Sequence, residues 1–366
     1  HHRRDQKSFS ADYHRGGSSN PLYELREMTT LTSPHDLLAA IPFLIGYHPE
    51  DSLVVVSIKD NAVGMAMRID YPVDIPAGAY DLLASHLQRD GATGALLIAY
   101  VPTGRTDGES VLSDADAALK RIGIATEESL LIQSGRFRSV LCQDQSCCPA
   151  EGNPIPEIAG SRIAVEHVVA GRAMPFANLQ ALTDSISSLP VASEVQWSDL
   201  VKSFHVAATS PELAKAQRDG ATAIIDLAGE FASGRIGQDL ELTARVIGRL
   251  SDIQVRDFAL GSHDEGSVDT YFQMWRHLMR IAPSGYVAPI ASLCAALAYE
   301  SGDGALAHRA LDRALEDVNG YSLALLLRRV FTAGWPPASF AAMRRELHPK
   351  VCAGIFGLDL PPGHEF

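Results

Sequence analysis

The sequence predicts an α/β domain followed by an all-α domain. Short apolar runs alternate with amphipathic stretches as far as about Pro175, and beyond that point strand signals fade and helical periodicity takes over. A chain of 366 residues also exceeds what one core usually organises and fits two domains. The expected architecture is a mixed β-sheet flanked by helices (residues 28–175), then a helical domain (176–366) that includes a tetratricopeptide-like hairpin. Residues 1–27 lack periodicity and are rich in Gly, Ser, His and Arg, which reads as a leader or expression remnant without order.

The first element is a helix in "TSPHDLLAAIP", with Ser33 as N-cap, Pro34 in the first turn, Asp36 at the third position and Pro42 as the stop. Ser52–Ile58 and Val63–Ile69 read as a hairpin around the polar "KDNA". Tyr80–Arg89 has helical spacing, and "GALLIAYV" is the continuous apolar run of a strand covered on both faces. Glu109–Ile122 is a further amphipathic helix. "SLLIQ" and "FRSVLC" are strands around the tight turn Ser134-Gly135, and "AVEHVVAG" is a short helix ending at Gly171. Two strand–helix–strand crossovers and two hairpins follow from this order.

In the second half, Pro211–Phe231, Leu240–Leu250, Val268–Ile281, Val287–Tyr299, Gly304–Val318 and Tyr321–Phe331 carry helical patterns separated by short turns. Ala295, Ala307 and Ala314 occupy the small-residue positions of a tetratricopeptide repeat, with Leu311 at an apolar one. Ala291 and Asn319 replace the repeat's usual aromatic and proline, so a single repeat-like hairpin is expected, and close packing of two helices explains the same spacing.

Composition narrows the function. A net charge of −13 without a Lys/Arg run argues against nucleic-acid binding, which needs a basic face. No apolar stretch approaches the roughly 20 residues of a membrane span. Three cysteines crowd into one loop and two stand apart, a distribution that fits a reducing cytoplasm better than a disulfide framework.

Three places could carry chemistry. In "GYHPEDS", His48 and Asp51 precede a central strand, where a His beside carboxylates serves as general base or metal ligand. Pro49 and Asp51 are equally ordinary turn residues. In "YVPTGRTDGES", Gly104, Arg105 and Gly108 lie between strand and helix, where backbone N–H groups attract phosphate. Neither GxxxxGK[ST] nor GxGxxG is present, however. In "CQDQSCCPAEG", Cys142, Cys147 and Cys148 offer three thiolates to zinc, with His48 or His167 as a fourth ligand. The spacing matches neither ribbon nor finger, and adjacent residues seldom turn both side chains to one ion. The alternatives are reversible bridging of Cys142 with Cys147, and small buried thiols packing a loop after a strand that ends at Cys142.

The passages "DLLAAIPFLIGYHPEDSLVVVSI", "CQDQSCCPAEGNPIP", "VRDFAL" and the Ala-rich hairpin ending "NGYSLALLL" resemble, in that order, the actinobacterial domain of unknown function 4192. The resemblance runs from residue 31 to the mid-330s. It departs from the family after Gly171, where "RAMPFANLQAL" replaces a Ser-Arg pair. It implies an actinobacterial, cytoplasmic protein and supplies no mechanism. With no G-x-S-x-G, H-E-x-x-H or paired-carboxylate motif in the chain, a protein-binding or regulatory module is expected. The alternative is an enzyme or metal-dependent protein with its site at the His48–Asp51 loop, alone or together with the Cys142–Cys148 loop.

Overall fold

The computed structural model describes residues 33–60, 62–72, 78–169 and 173–357. The expected extension 1–27 and the helix stop at Gly171 fall outside them. The chain divides into two compact units, His1–Leu182 and Thr183–Phe366.

The first unit opens with helix α1 (Pro34–Ile45). Ser33 Oγ accepts the Asp36 N–H at 3.2 Å, satisfying a donor that the first turn leaves unpaired. Pro42 does not stop this helix as expected. It sits inside, and α1 closes at Gly46, whose φ of 86° is the left-handed conformation glycine adopts freely. Proline forfeits one backbone bond, but α1 buries eight residues, Pro42 among them, and that apolar burial offsets the loss.

Strands β1 (Ser52–Lys59) and β2 (Ala62–Asp70) form the expected hairpin, with a bulge between Val56 and Ile58. The bulge places Ser57 Oγ to accept the Met65 N–H and to donate to Asp90 Oδ2, both at 2.7 Å. Helix α2 (Ala79–Arg89), β3 (Gly94–Tyr100), α3 (Gly108–Arg121), β4 (Ala125–Gln133), β5 (Arg136–Ser139) and the two-residue β6 (Asn153–Pro154) follow. The sheet order is β2-β1-β3-β4-β5-β6, parallel at β3/β4 and antiparallel elsewhere. One crossover, through α3, joins β3 to β4. The other, through α2, steps over β1.

Leu53, Val55, Ala95, Leu97 and Ala99 face Leu83 and Leu87 of α2 and Leu112, Ala115 and Leu119 of α3 in one buried cluster. Strand alternation turns Ile98, Leu130 and Ile132 to the opposite face, where they too are buried. Burial on both faces is why "GALLIAY" reads as a continuous apolar run. Each such side chain contributes about 1.5–3 kcal/mol. Helix α4 (Arg162–Val169) packs Ile163 and Ala164 against Ala39, Ala40 and Phe43 of α1.

β5 ends at Ser139 and not at Cys142 as expected. Ser139 Oγ accepts the N–H groups of Leu141 and Cys142 at 3.2 Å each, drawing the chain off the ladder.

A short helix, α5 (Leu179–Asp184), spans the division between units. The second unit holds α6 (Glu194–Ser203), α7 (Leu213–Ala232), α8 (Leu240–Arg249), α9 (Ile253–Gly261), α10 (Val268–Ile281), α11 (Val287–Glu300), α12 (Gly304–Asp317), α13 (Ser322–Thr332) and α14 (Pro337–Phe356). Every residue of α11 from Val287 to Ala298 is buried, so this helix is the spine of the unit, with α9, α10, α12, α13 and α14 against it. Its first N–H groups are satisfied from a distance. The Asp317 carboxylate accepts from Gly285 at 2.6 Å and from Val287 and Ala288 at 2.9 Å. Ala295, Ala307 and Ala314 are fully buried on α11 and α12, which pack against each other. Among the described residues, no helix is long and apolar enough to cross a membrane.

Candidate functional site

The sheet register sets Ser52 beside Tyr100 and Tyr100 beside Ile132. The start of antiparallel β1 therefore lies at the same edge as the carboxyl ends of the parallel strands β3 and β4. Open α/β sheets place ligands at that edge, where loops leave the ladder. A cleft of about 340 Å³ lies there, with Leu38 and Pro42 of α1, Ile132, Ile155 and Ile158 as apolar wall. Its polar atoms come from His48, Glu50, Asp51, Tyr100, Gln133 and Ser134.

His48 and Asp51, expected from sequence to carry chemistry, both line this cleft. The loop is held by two backbone bonds: the His48 N–H donates to Phe176 O at 3.0 Å, and Asp51 O accepts the Tyr71 N–H at 2.8 Å. The latter fixes Asp51 at φ 41°, a left-handed conformation that Asp tolerates better than most side chains. Burial pushes the His48 imidazole below its ordinary value, which keeps it neutral at pH 7. Burial is the cause of that shift, and His48 and Asp51 share the cleft. Burial also pushes the Tyr100 phenol up, leaving a hydroxyl that stays protonated and can donate. Gln133 Nε2 is committed to Arg105 O at 2.6 Å.

The cysteine loop behaves differently from a packed turn. Asp144 O accepts the N–H groups of Cys147 at 3.1 Å and Cys148 at 2.8 Å, while its Oδ1 accepts from Ser146 N and Oγ at 2.9 and 2.7 Å. Asn153 Nδ2 donates to Cys147 O at 2.8 Å. This coil overcomes the objection from sequence adjacency: the Sγ atoms of Cys142, Cys147 and Cys148 all lie within 4.8 Å of one another, with Cys147 and Cys148 4.0 Å apart. The expectation of buried thiols is overturned, since Cys147 is exposed and the other two are half-buried. The three thiols are close enough to hold a metal ion. Neither suggested histidine joins them: His48 lines the cleft, and His167 packs on Phe43 with ring centroids 4.1 Å apart.

Compared with known families, residues 34–338 match the one described as Domain of unknown function (DUF4192). The chain belongs to that family. No curated protein and no solved structure matches it. The DUF4192 match takes in the cleft, the thiol loop and most of the helical unit, so both candidate sites lie inside the family region.

The third place singled out in this DUF4192 chain is the glycine loop before α3. Arg105 donates through Nε to Asp107 Oδ1 at 3.1 Å and makes a second contact through Nη2. Asp107 also accepts the Tyr71 hydroxyl at 2.9 Å, and these partners hold its carboxyl down at about 2. Asp107 is the N-cap residue of α3, but its carboxylate is turned to Arg105 and Tyr71 and makes no cap hydrogen bond to the helix. Gly108 is small for packing: a Cβ there would lie 2.6 Å from Val101 Cγ2 and 2.8 Å from Leu131 Cδ1.

Arg68 pairs with Asp70, and Arg256 with Asp257 at 2.6 Å. Sequence reasoning missed Tyr100, Ile132, Ile155 and Ile158 as cleft walls, because only the register brings them together. It also missed a buried group in the helical unit, His263, Glu300 and Arg344, drawn from three separate segments.

Proposed function

We propose that this DUF4192 protein is a binding module whose α/β unit takes a small molecule in the cleft beside His48. The observation that carries the reading is the cleft itself, at the carboxyl ends of β3 and β4, with an apolar wall and a few polar groups converging on it. Glu50 and Asp51 are exposed and acidic, whereas His48 is neutral, so the cleft favours a ligand with an apolar body and a cationic or hydroxylated end. An acid–base enzyme at this loop would need His48 oriented by a carboxylate. A regulatory role fits a binding module, while a protein partner for the helical unit rests on sequence alone.

Benzylamine and benzoate form a matched cation–anion pair for the test, read by ligand-observed NMR and thermal shift. Benzylamine binding that is lost in Ile155→Trp and weakened several-fold in Asp51→Asn supports the proposal. Equal binding of both probes, or benzylamine binding unaffected by Ile155→Trp, removes it.

A further inference from the structure

We propose that Cys142, Cys147 and Cys148 form a binding site for a thiophilic d10 cation, Zn2+ or Cu+, held by three thiolates. The proposal is independent of the cleft and stands on the geometry of the loop.

Thiolate sulfurs bind zinc at about 2.3 Å, which in a tetrahedron spaces them roughly 3.8 Å apart. Cys147 and Cys148 Sγ are already 4.0 Å apart, and no pair in the trio exceeds 4.8 Å. Side-chain rotation of at most about 1 Å closes the set around one ion. Three free thiols at this separation carry no mutual disulfide.

The backbone around them is fixed by contacts unrelated to the thiols. Asp144 organises the turn that carries Cys147 and Cys148, Asn153 anchors Cys147 O, and Ser139 Oγ holds the Cys142 N–H. Ser139 is itself held, donating to Glu128 Oε1 at 2.6 Å. Cys142 thus approaches from the end of β5 and the other two from the turn, so the trio converges from two sides. Outer partners of this kind orient ligands in metal sites.

The donor set selects the ion. Three sulfurs with no oxygen or imidazole in the group favour soft d10 cations over Mg2+, Ca2+ or Mn2+. Binding is ligand exchange without redox change: each thiol releases its proton to solvent as its sulfur donates a lone pair to the ion. For Zn2+ the product carries a net charge of one minus and keeps a fourth position for water. For Cu+ three thiolates complete the coordination, with a net charge of two minus. Cys294 is buried and Cys352 lies on α14, so both serve as internal controls.

The test uses the full chain, reduced, stripped of metal and kept anaerobic. Cd2+ as a zinc surrogate should raise a thiolate-to-cadmium charge-transfer band that saturates at one equivalent and is reversed by Zn2+. Cu+ should compete with a chromogenic chelator at the same stoichiometry. Cys142→Ser, Cys147→Ser and Cys148→Ser should each abolish the band, Cys352→Ser should leave it intact, and Asp144→Ala should weaken affinity roughly tenfold. Protection from alkylation, mapped by mass spectrometry on the unmutated chain, gives a readout that needs no variant. Cd2+ should shield Cys142, Cys147 and Cys148 and leave Cys352 unprotected. Absence of the band, its persistence in Cys147→Ser, or alkylation unchanged by metal overturns the proposal.

Discussion

Arg344 on α14 donates to both oxygens of Glu300 on α11, from Nε at 2.7 Å and from Nη2 at 3.2 Å, across 44 residues of sequence. Both side chains are almost fully buried, and His263 Nε2 meets the same carboxylate at 3.2 Å. Arg344 further donates to His263 O at 3.1 Å, so one guanidinium fastens α14 to α11 and to the end of α9.

Breaking such a pair leaves an uncompensated buried charge, which costs about 3–5 kcal/mol. Glu300→Gln should therefore lower the denaturation midpoint of the helical unit sharply, and a doubly apolar replacement of Glu300 and Arg344 should recover much of the loss. Urea titrations followed by circular dichroism measure both.

The same group makes the helical unit acid-sensitive. The contacts of His263 and Arg344 outweigh burial and hold the Glu300 carboxyl below its ordinary value of 4.5. Its stabilisation is present above that value and is lost as pH falls through the lower folded one. Burial keeps the His263 imidazole below 6.5, so its contribution is full above 6.5 and declines as pH falls beneath it. Stability should drop in two stages, the first as pH falls below 6.5 and the second as it falls below 4.5. His263→Gln should remove the upper stage in melting curves taken across that range.

Asp303 works in the opposite direction. It caps α12 by accepting the Leu306 N–H at 3.0 Å, yet burial raises its carboxyl to about 6. A raised acid is most stabilising below its ordinary value of 3.8 and loses that advantage as pH rises through about 6. Asn keeps the acceptor and carries no charge. Asp303→Asn should stabilise by about 1 kcal/mol at pH 7.5 and by nothing at pH 3.5, by thermal melting at the two pH values.

Gly108 separates a packing role from a phosphate-binding one. A methyl group there meets Val101 and Leu131 well inside contact distance, so Gly108→Ala should cost about 1–3 kcal/mol. Lost phosphate affinity with unchanged stability is the result that would favour phosphate binding at this loop over packing.

Asp51 joins strain to the cleft. Its left-handed backbone costs a non-glycine residue about 1 kcal/mol or more. Asp51→Gly should raise stability by up to about 1 kcal/mol while weakening benzylamine binding, and Asp51→Val should lower both. Calorimetry and ligand-observed NMR on the same samples check the pair.

Elements with strong local signals were legible. The Ser33 cap, the β1/β2 hairpin and the one-sided helices α2, α3 and α10 each carry a pattern that is complete within the element itself. Helices α6, α9 and α14 were not: α6 and α9 are only weakly one-sided, and α14 contains Pro349 and spreads its apolar residues around the axis. At the site, His48 and Asp51 stood out because a His beside carboxylates on a strand-entry loop is a local pattern. Tyr100, Ile132 and Ile155 did not, because each reads alone as strand or loop filler.

The sequence by itself determined the order of the two architectures, most element types and the family, since these depend on patterns read along the chain. Tertiary structure decided what the residues do together. Register brought β1, β3 and β4 to one edge and opened the cleft between their ends. A turn around Asp144 folded Cys147 and Cys148 back toward Cys142, whereas spacing alone argued that neighbours diverge. Sequence distance and spatial distance part company wherever hydrogen bonds, and not periodicity, fix the backbone, and both candidate sites lie at such places.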